Sequence, residues 1–92
     1  MRARYTRRAL ADIESIFAYL DERSPAGATS IKRALRRAIQ TVETFPLGGQ
    51  LSEWKGLRQR PVSPYPYIVY WKVEGEEVWL VHIRHAARRR PE

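Results

Sequence analysis

His82 and His85 stand three positions apart near the end of an apolar run, with Arg84 between them and Arg88 to Arg90 after them in the sequence. An imidazole titrates near neutral pH, so either ring suits general acid or base work. His85 leaves the run close to Arg88, which favours it for that role; the alternative is a plain hydrogen bond to a backbone carbonyl. His82 reads as a residue of the sheet itself. A metal site needs three or four converging ligands, and the chain offers no cysteine and no carboxylate pattern beside the pair. Arg58 and Arg60 alternate along a short run, so a strand there points both to one face. Arg84 and Arg88 approach the same region from the last run. Such guanidinium groups hold phosphates or carboxylates through forked hydrogen bonds, and they serve equally as a solvated strand face. Ser63, His85 and Asp12 complete the residue types of a triad, but no glycine elbow surrounds Ser63. Gly48-Gly49 lacks the lysine and helix of a phosphate loop. The sequence asks for no cofactor.

The elements that must position these groups are legible as patterns. Tyr65 to Val73 is dense in β-branched and aromatic residues, Glu74-Gly75-Glu76 supplies a turn, and Glu77 to Arg84 forms a second apolar run. Two such runs around a short glycine-containing loop predict a β-hairpin. Leu57 to Val62 adds a third strand, whose Pro61 places it at an edge or a strand end. Arg2 to Tyr5 is a short strand, and Thr6 caps the helix that follows. On that helix Leu10, Ile13, Phe17 and Leu20 form one apolar face, with Ile16 beside them. Ser24-Pro25 ends it and starts the next, where Ile31, Leu35, Ile39, Val42 and Phe45 repeat at helical spacing up to Pro46. Lys32, Arg33, Arg36 and Arg37 lie off that stripe as a basic ridge. The short connection makes the two helices an antiparallel hairpin, whose apolar side covers the sheet. Leu47 to Gly56 is a turn-rich loop anchored by Trp54. The order is strand, helix, helix, strand, strand, strand.

Length and charge bound the rest. A chain of 92 residues is one domain, residues 1–92, with a single core and little room for an enclosed cavity. Seventeen basic against 10 acidic residues give a net charge of +7, which favours a phosphate backbone, an anionic membrane or an acidic protein. The absence of cysteine and of an apolar leader or membrane-length run suits a cytoplasmic protein.

Five stretches, in this order, carry a family likeness: Arg7-Arg8-Ala9-Leu10-Ala11-Asp12-Ile13, Phe45-Pro46-Leu47-Gly48-Gly49, Gly56-Leu57-Arg58, Tyr67-Ile68-Val69-Tyr70, and Ile83 to Arg89. Together they make the chain resemble the RelE/ParE superfamily of toxins from bacterial type II toxin–antitoxin pairs, over nearly its whole length. The resemblance implies an α+β fold, a small antiparallel sheet covered by a helical hairpin. It implies a cognate antitoxin whose C-terminal tail wraps the toxin in a hetero-oligomer, and +7 suits an acidic tail.

The superfamily divides by activity. RelE-like members cut messenger RNA on the ribosome with basic residues of the sheet, whereas ParE-like members inhibit DNA gyrase. Aligned to that pattern, Arg58, Arg60 and Arg88 fall at or near basic positions of the RelE-like set, and His85, ahead of Tyr67, is the group able to move a proton. Tyr67 replaces the central catalytic arginine, and Glu92 stands about where a C-terminal catalytic tyrosine would. Cleavage through a 2′-hydroxyl needs a base, an acid and fixed cations, and this set is depleted. The reading is therefore ParE-like inhibition of gyrase without chemistry by the toxin itself, with ribosome-dependent, metal-independent RNA cleavage by Arg58, Arg60, His85 and Arg88 as the alternative. For partner or target binding the sequence offers the ridge Lys32, Arg33, Arg36 and Arg37, the apolar side chains Phe17, Tyr19, Leu20 and Trp54, and Arg84 and Arg89. Trp71 and Trp79 are either interface anchors or core.

Overall fold

The computed structural model describes residues 1–87, so Arg88 and Arg89 lie outside the described residues. The elements run β1 (Ala3–Tyr5), α1 (Arg7–Arg23), α2 (Pro25–Thr44), β2 (Gln50–Leu51), β3 (Arg58–Pro61), β4 (Tyr67–Glu74) and β5 (Glu77–His85). Local chemistry sets most of the boundaries. Thr6 accepts a hydrogen bond from the Ala9 amide and so caps α1. Ser24 serves both helices: its N–H donates to the Leu20 carbonyl at the end of α1, and its hydroxyl accepts from Gly27 at the start of α2. Pro25 then occupies the first turn, where its missing N–H costs nothing. Gly75, at φ 59°, opens the two-residue turn that pairs Glu74 with Glu77.

The α+β architecture expected from the sequence is present, with two differences in the sheet. It has five strands in the order β1-β5-β4-β3-β2, and β1 runs parallel to β5 while the other pairs are antiparallel. The parallel pairing arises because α1 and α2 return the chain before the hairpin is laid down, which places both strand starts at one end. The extra strand, β2, is only two residues long and forms within the loop before Trp54.

One face of the sheet carries Tyr67, Val69, Trp71, Val78, Leu80 and Ile83, which pack against Leu35, Ala38, Ile39 and Val42 of α2 and Ala9 of α1. Phe45 and Leu10, read as part of the apolar faces, are 63% and 53% exposed. Helix α2 ends at Thr44 before the stripe returns to Phe45. Helix α1 turns its narrow side, Ala9, Ile13 and Ile16, to the core and leaves Leu10 outside. The alanine permits close approach.

Strand β5 carries a bulge. Tyr70 pairs with His82 and Trp71 with Leu80, which leaves Val81 unmatched. The Val81 carbonyl instead accepts from the Thr6 hydroxyl, so the capping residue of α1 also binds the bulge. Gly49 shows how closely the opposite end is packed. It has φ 71°, and an added Cβ would lie 2.6 Å from the Trp71 ring and 2.7 Å from the Gln59 carbonyl oxygen. Gly49→Ala is expected to destabilise the fold by about 2–4 kcal/mol, combining left-handed strain with overpacking. The midpoint of urea unfolding checks this.

Candidate partner-binding groove

The bulge places His82 on the face of the sheet opposite Leu80, beside Tyr70. Beyond Tyr5, β5 has no strand neighbour on the β1 side, and α1 runs along that edge instead. Asp12 therefore reaches the edge from the helix. Its Oδ2 accepts from the Ile83 amide at 3.0 Å and sits 2.6 Å from His82 Nδ1. Its Oδ1 lies 3.4 Å from Arg8 Nε, one turn earlier on α1. Arg8 Nη2 is 3.4 Å from His82 Nε2. A guanidinium only donates, so Nε2 accepts from Arg8 and Nδ1 carries the proton given to Asp12. One carboxylate thus closes the gap between α1 and β5 and orients the imidazole.

Around this pair the open face is aromatic. The His82 ring stacks on Tyr70 at 5.7 Å and 20°, and Trp54 lies over both, 4.6 Å from Tyr70 and 5.7 Å from His82. The Tyr70 hydroxyl accepts from Arg84 Nε at 2.7 Å, and Arg84 Nη1 reaches the carbonyls of His85 and Ala86. Arg84 so holds the chain as it leaves the sheet.

A groove of about 770 Å³ runs between α1 and the last part of β5, straddling the strand edge. Ile16, Leu20, Ile31, Tyr67 and Ile83 make it apolar, and Arg8, Asp12, His82, Arg84 and His85 give it polar groups. His85 packs edge-on to Tyr67 at 5.3 Å, and its Nδ1 accepts from the Ala87 amide at 3.1 Å. The hydrogen bond of His85 is thus to a backbone group, though to an amide rather than a carbonyl. Among the described residues no group of three or more His, Cys, Asp or Glu is placed to hold a metal ion, and no helix is long and apolar enough to cross a membrane.

The residues singled out in the sequence divide into separate regions. Leu20, Arg84 and His85 line the groove. Phe17 is half-buried under Lys32, whose Nζ lies 5.0 Å from its ring and also pairs with Asp21. Arg33, Arg36 and Arg37 are exposed on α2 as the pattern required. Tyr19 is exposed, with Arg23 3.9 Å from its ring. Trp71 is core: it is fully buried, and its indole donates to the Pro46 carbonyl at 2.8 Å. Trp79 lies on the open face, where it donates to Glu77.

Arg58 and Arg60 share a face, opposite Trp71 and Val69, whereas Arg84 stands opposite Ile68 on the other face. Arg58 Nη1 donates to the carbonyls of Leu47 and Gly48 at 2.9 and 3.3 Å. Arg60 Nε is buried with no hydrogen-bond partner among the described residues. These two arginines do not join the polar cluster of the groove. That cluster, Arg8, Asp12 and His82, went unrecognised in the sequence. The four-residue spacing of Arg8 and Asp12 was its one local signal.

The two helices laid on a mixed five-stranded sheet define a toxin-like fold of the RelE/ParE kind, and three comparisons agree with it. The family described as the ParE toxin of type II toxin–antitoxin systems, parDE, matches residues 3–90. The Caulobacter vibrioides protein named Toxin RelE2 is 37% identical over 84 residues, covering 91% of this chain and 93% of that protein. A Sinorhizobium fredii protein named Putative toxin Y4kP is 25% identical over 91 residues. The fold also matches a solved structure titled "Chromosomal ParDE TA system from P. aeruginosa", with a TM-score of 0.83 and 22% identity over 92% of this chain and 95% of that one. The chain belongs to the ParE toxin family and is the toxin of a type II toxin–antitoxin system, which implies a cognate antitoxin.

Proposed function

We propose that this toxin acts by binding a protein target, DNA gyrase, in the ParE-like manner, and that its antitoxin blocks it by laying an acidic tail along the groove between α1 and β5. The observation that carries the first part is the commitment of Arg58. Its guanidinium is bonded to two loop carbonyls, and neither it nor Arg60 converges with His85 on a common site. Phosphodiester cleavage needs fixed cations next to a proton-moving group, and Arg58 and Arg60 do not supply them beside His85. The second part rests on shape and charge. The groove is apolar with basic groups at its rim, and the net charge of +7 favours an acidic segment. The ridge of Lys32, Arg33, Arg36 and Arg37, in which the three arginines are exposed, steers such a segment, because exposed charges act mainly on the rate of association. Localisation in the cytoplasm follows from either target.

The alternative, RelE-like cleavage of messenger RNA on the ribosome, is favoured by the name of the Caulobacter relative and by the exposure of His85 to the groove. His85→Ala separates the two. Under the gyrase reading this variant arrests growth when expressed without antitoxin, as the parent chain does. A folded His85→Ala chain that no longer arrests growth, with messenger RNA left intact, overturns it in favour of the nuclease.

A further inference from the structure

The Arg8 guanidinium lies over the second ring nitrogen of His82. His82 gives its Nδ1 proton to Asp12, and its Nε2 faces the Arg8 guanidinium at 3.4 Å. The Arg8 side chain is 55% exposed and bonded only at long range, whereas the side chains of Asp12 and His82 are 17% and 10% exposed. Arg8 is therefore the member of the trio that can turn outward, and turning it uncovers Nε2 towards the groove. Asp12, the single acidic group among the described residues of the groove lining, already accepts from His82, from the Ile83 amide and from Arg8.

We propose that this corner is a carboxylate site: an acidic side chain of the docked antitoxin segment pairs with Arg8 and with protonated His82, so that docking takes up one proton. This rests on the reading that the antitoxin docks in the groove. Once Arg8 turns to an incoming carboxylate, an unprotonated Nε2 would set its lone pair against those of the carboxylate oxygen. A proton taken from solvent onto Nε2 converts that repulsion into an N–H donor. The other groups facing His82 are Arg8 and Asp12 from α1, Tyr70 from β4, Arg84 from β5 and the uncharged Trp54 ring. Arg84 opposes the added charge, but its guanidinium is turned to Tyr70 and to the carbonyls of His85 and Ala86. Apolar neighbours such as Leu20, Ile31 and Ile83 exclude water from the bound segment and strengthen the pairing.

The test is calorimetric titration of the full chain with its purified cognate antitoxin. It is run at one pH in phosphate and in Tris, whose ionisation enthalpies differ, and then across pH 6.5 to 8.5. The difference in heat between the buffers counts protons. The expected result is net uptake of a proton and a Kd that weakens by roughly tenfold or more across that range, because affinity that depends on a bound proton is lost as pH rises. His82→Asn keeps a donor to Asp12 but cannot titrate. It should bind with no uptake and with a Kd changing by less than about twofold over the same range. A complex that forms with no proton uptake overturns the carboxylate site and leaves groove docking standing. Uptake retained in His82→Asn and lost in His85→Asn also overturns it. Failure of the parent chain to bind the antitoxin at any pH overturns the docking reading, and the site with it.

Discussion

Trp71→Ala should cost the fold about 4 kcal/mol, more than any other single truncation in the chain. Large aromatic-to-alanine changes in a packed core lose roughly 3–5 kcal/mol through transfer and cavity terms. Trp71 combines the conditions for the upper part of that range. It is fully buried, it is the largest of the buried side chains, and its indole N–H holds the Pro46 carbonyl. The Gly49 backbone is packed tightly against its ring, so the loop before β2 cannot collapse easily into the space. A domain of this size has on the order of 5–10 kcal/mol in total, and the variant should unfold at far lower urea. Trp71→Phe should recover most of the loss, leaving about 1 kcal/mol for the missing hydrogen bond and more for the vacated volume. Equal midpoints for the alanine variant and the parent would show that the ring is not the centre of the core.

Asp12→Ala should be the second most damaging change, at about 3 kcal/mol. The carboxylate accepts from His82, from the Ile83 amide and from Arg8 at once. Its removal strands the Ile83 N–H at a strand edge that no other strand covers. It also leaves the His82 ring without its partner, and half-broken buried networks cost more than intact or absent ones. Part of the loss should be shared with His82. Urea unfolding of Asp12→Ala, His82→Asn and the double variant should give a non-additive cycle, with a coupling of about 1 kcal/mol or more. Additive losses would mean that the 2.6 Å contact between them contributes nothing of its own.

The same pair marks the limit of what the sequence could tell. The hairpin was readable because two β-branched and aromatic runs flank a short loop containing Gly75, and α2 because Ile31, Leu35, Ile39 and Val42 repeat at helical spacing. Strict alternation, however, puts His82 on the same face as Leu80. The bulge at Val81 reverses that, and nothing local announces a bulge. Asp12 lies 70 residues from His82, and the two meet because three residues of β1 pair parallel to β5 and then stop, leaving α1 to finish the edge. Short parallel pairings leave no periodic trace in a sequence. Leu10 and Phe45 failed as core residues for a related reason: a periodic stripe says which side of a helix is apolar but not where along it the partner surface ends. Arg58 and Arg60 were rightly placed on one face of a strand. The Arg58 side chain is claimed by a loop whose path the sequence did not fix.

The central claim is that this ParE-family toxin disables gyrase by binding it. Its most direct test is a supercoiling assay on relaxed plasmid with purified gyrase and ATP, run beside a ribosome-bound translation reaction in which messenger RNA is followed by primer extension. The account predicts that stoichiometric toxin stops supercoiling, that added antitoxin restores it, and that the messenger RNA stays whole. Unimpaired supercoiling together with toxin-dependent cuts in ribosome-bound messenger RNA would contradict it.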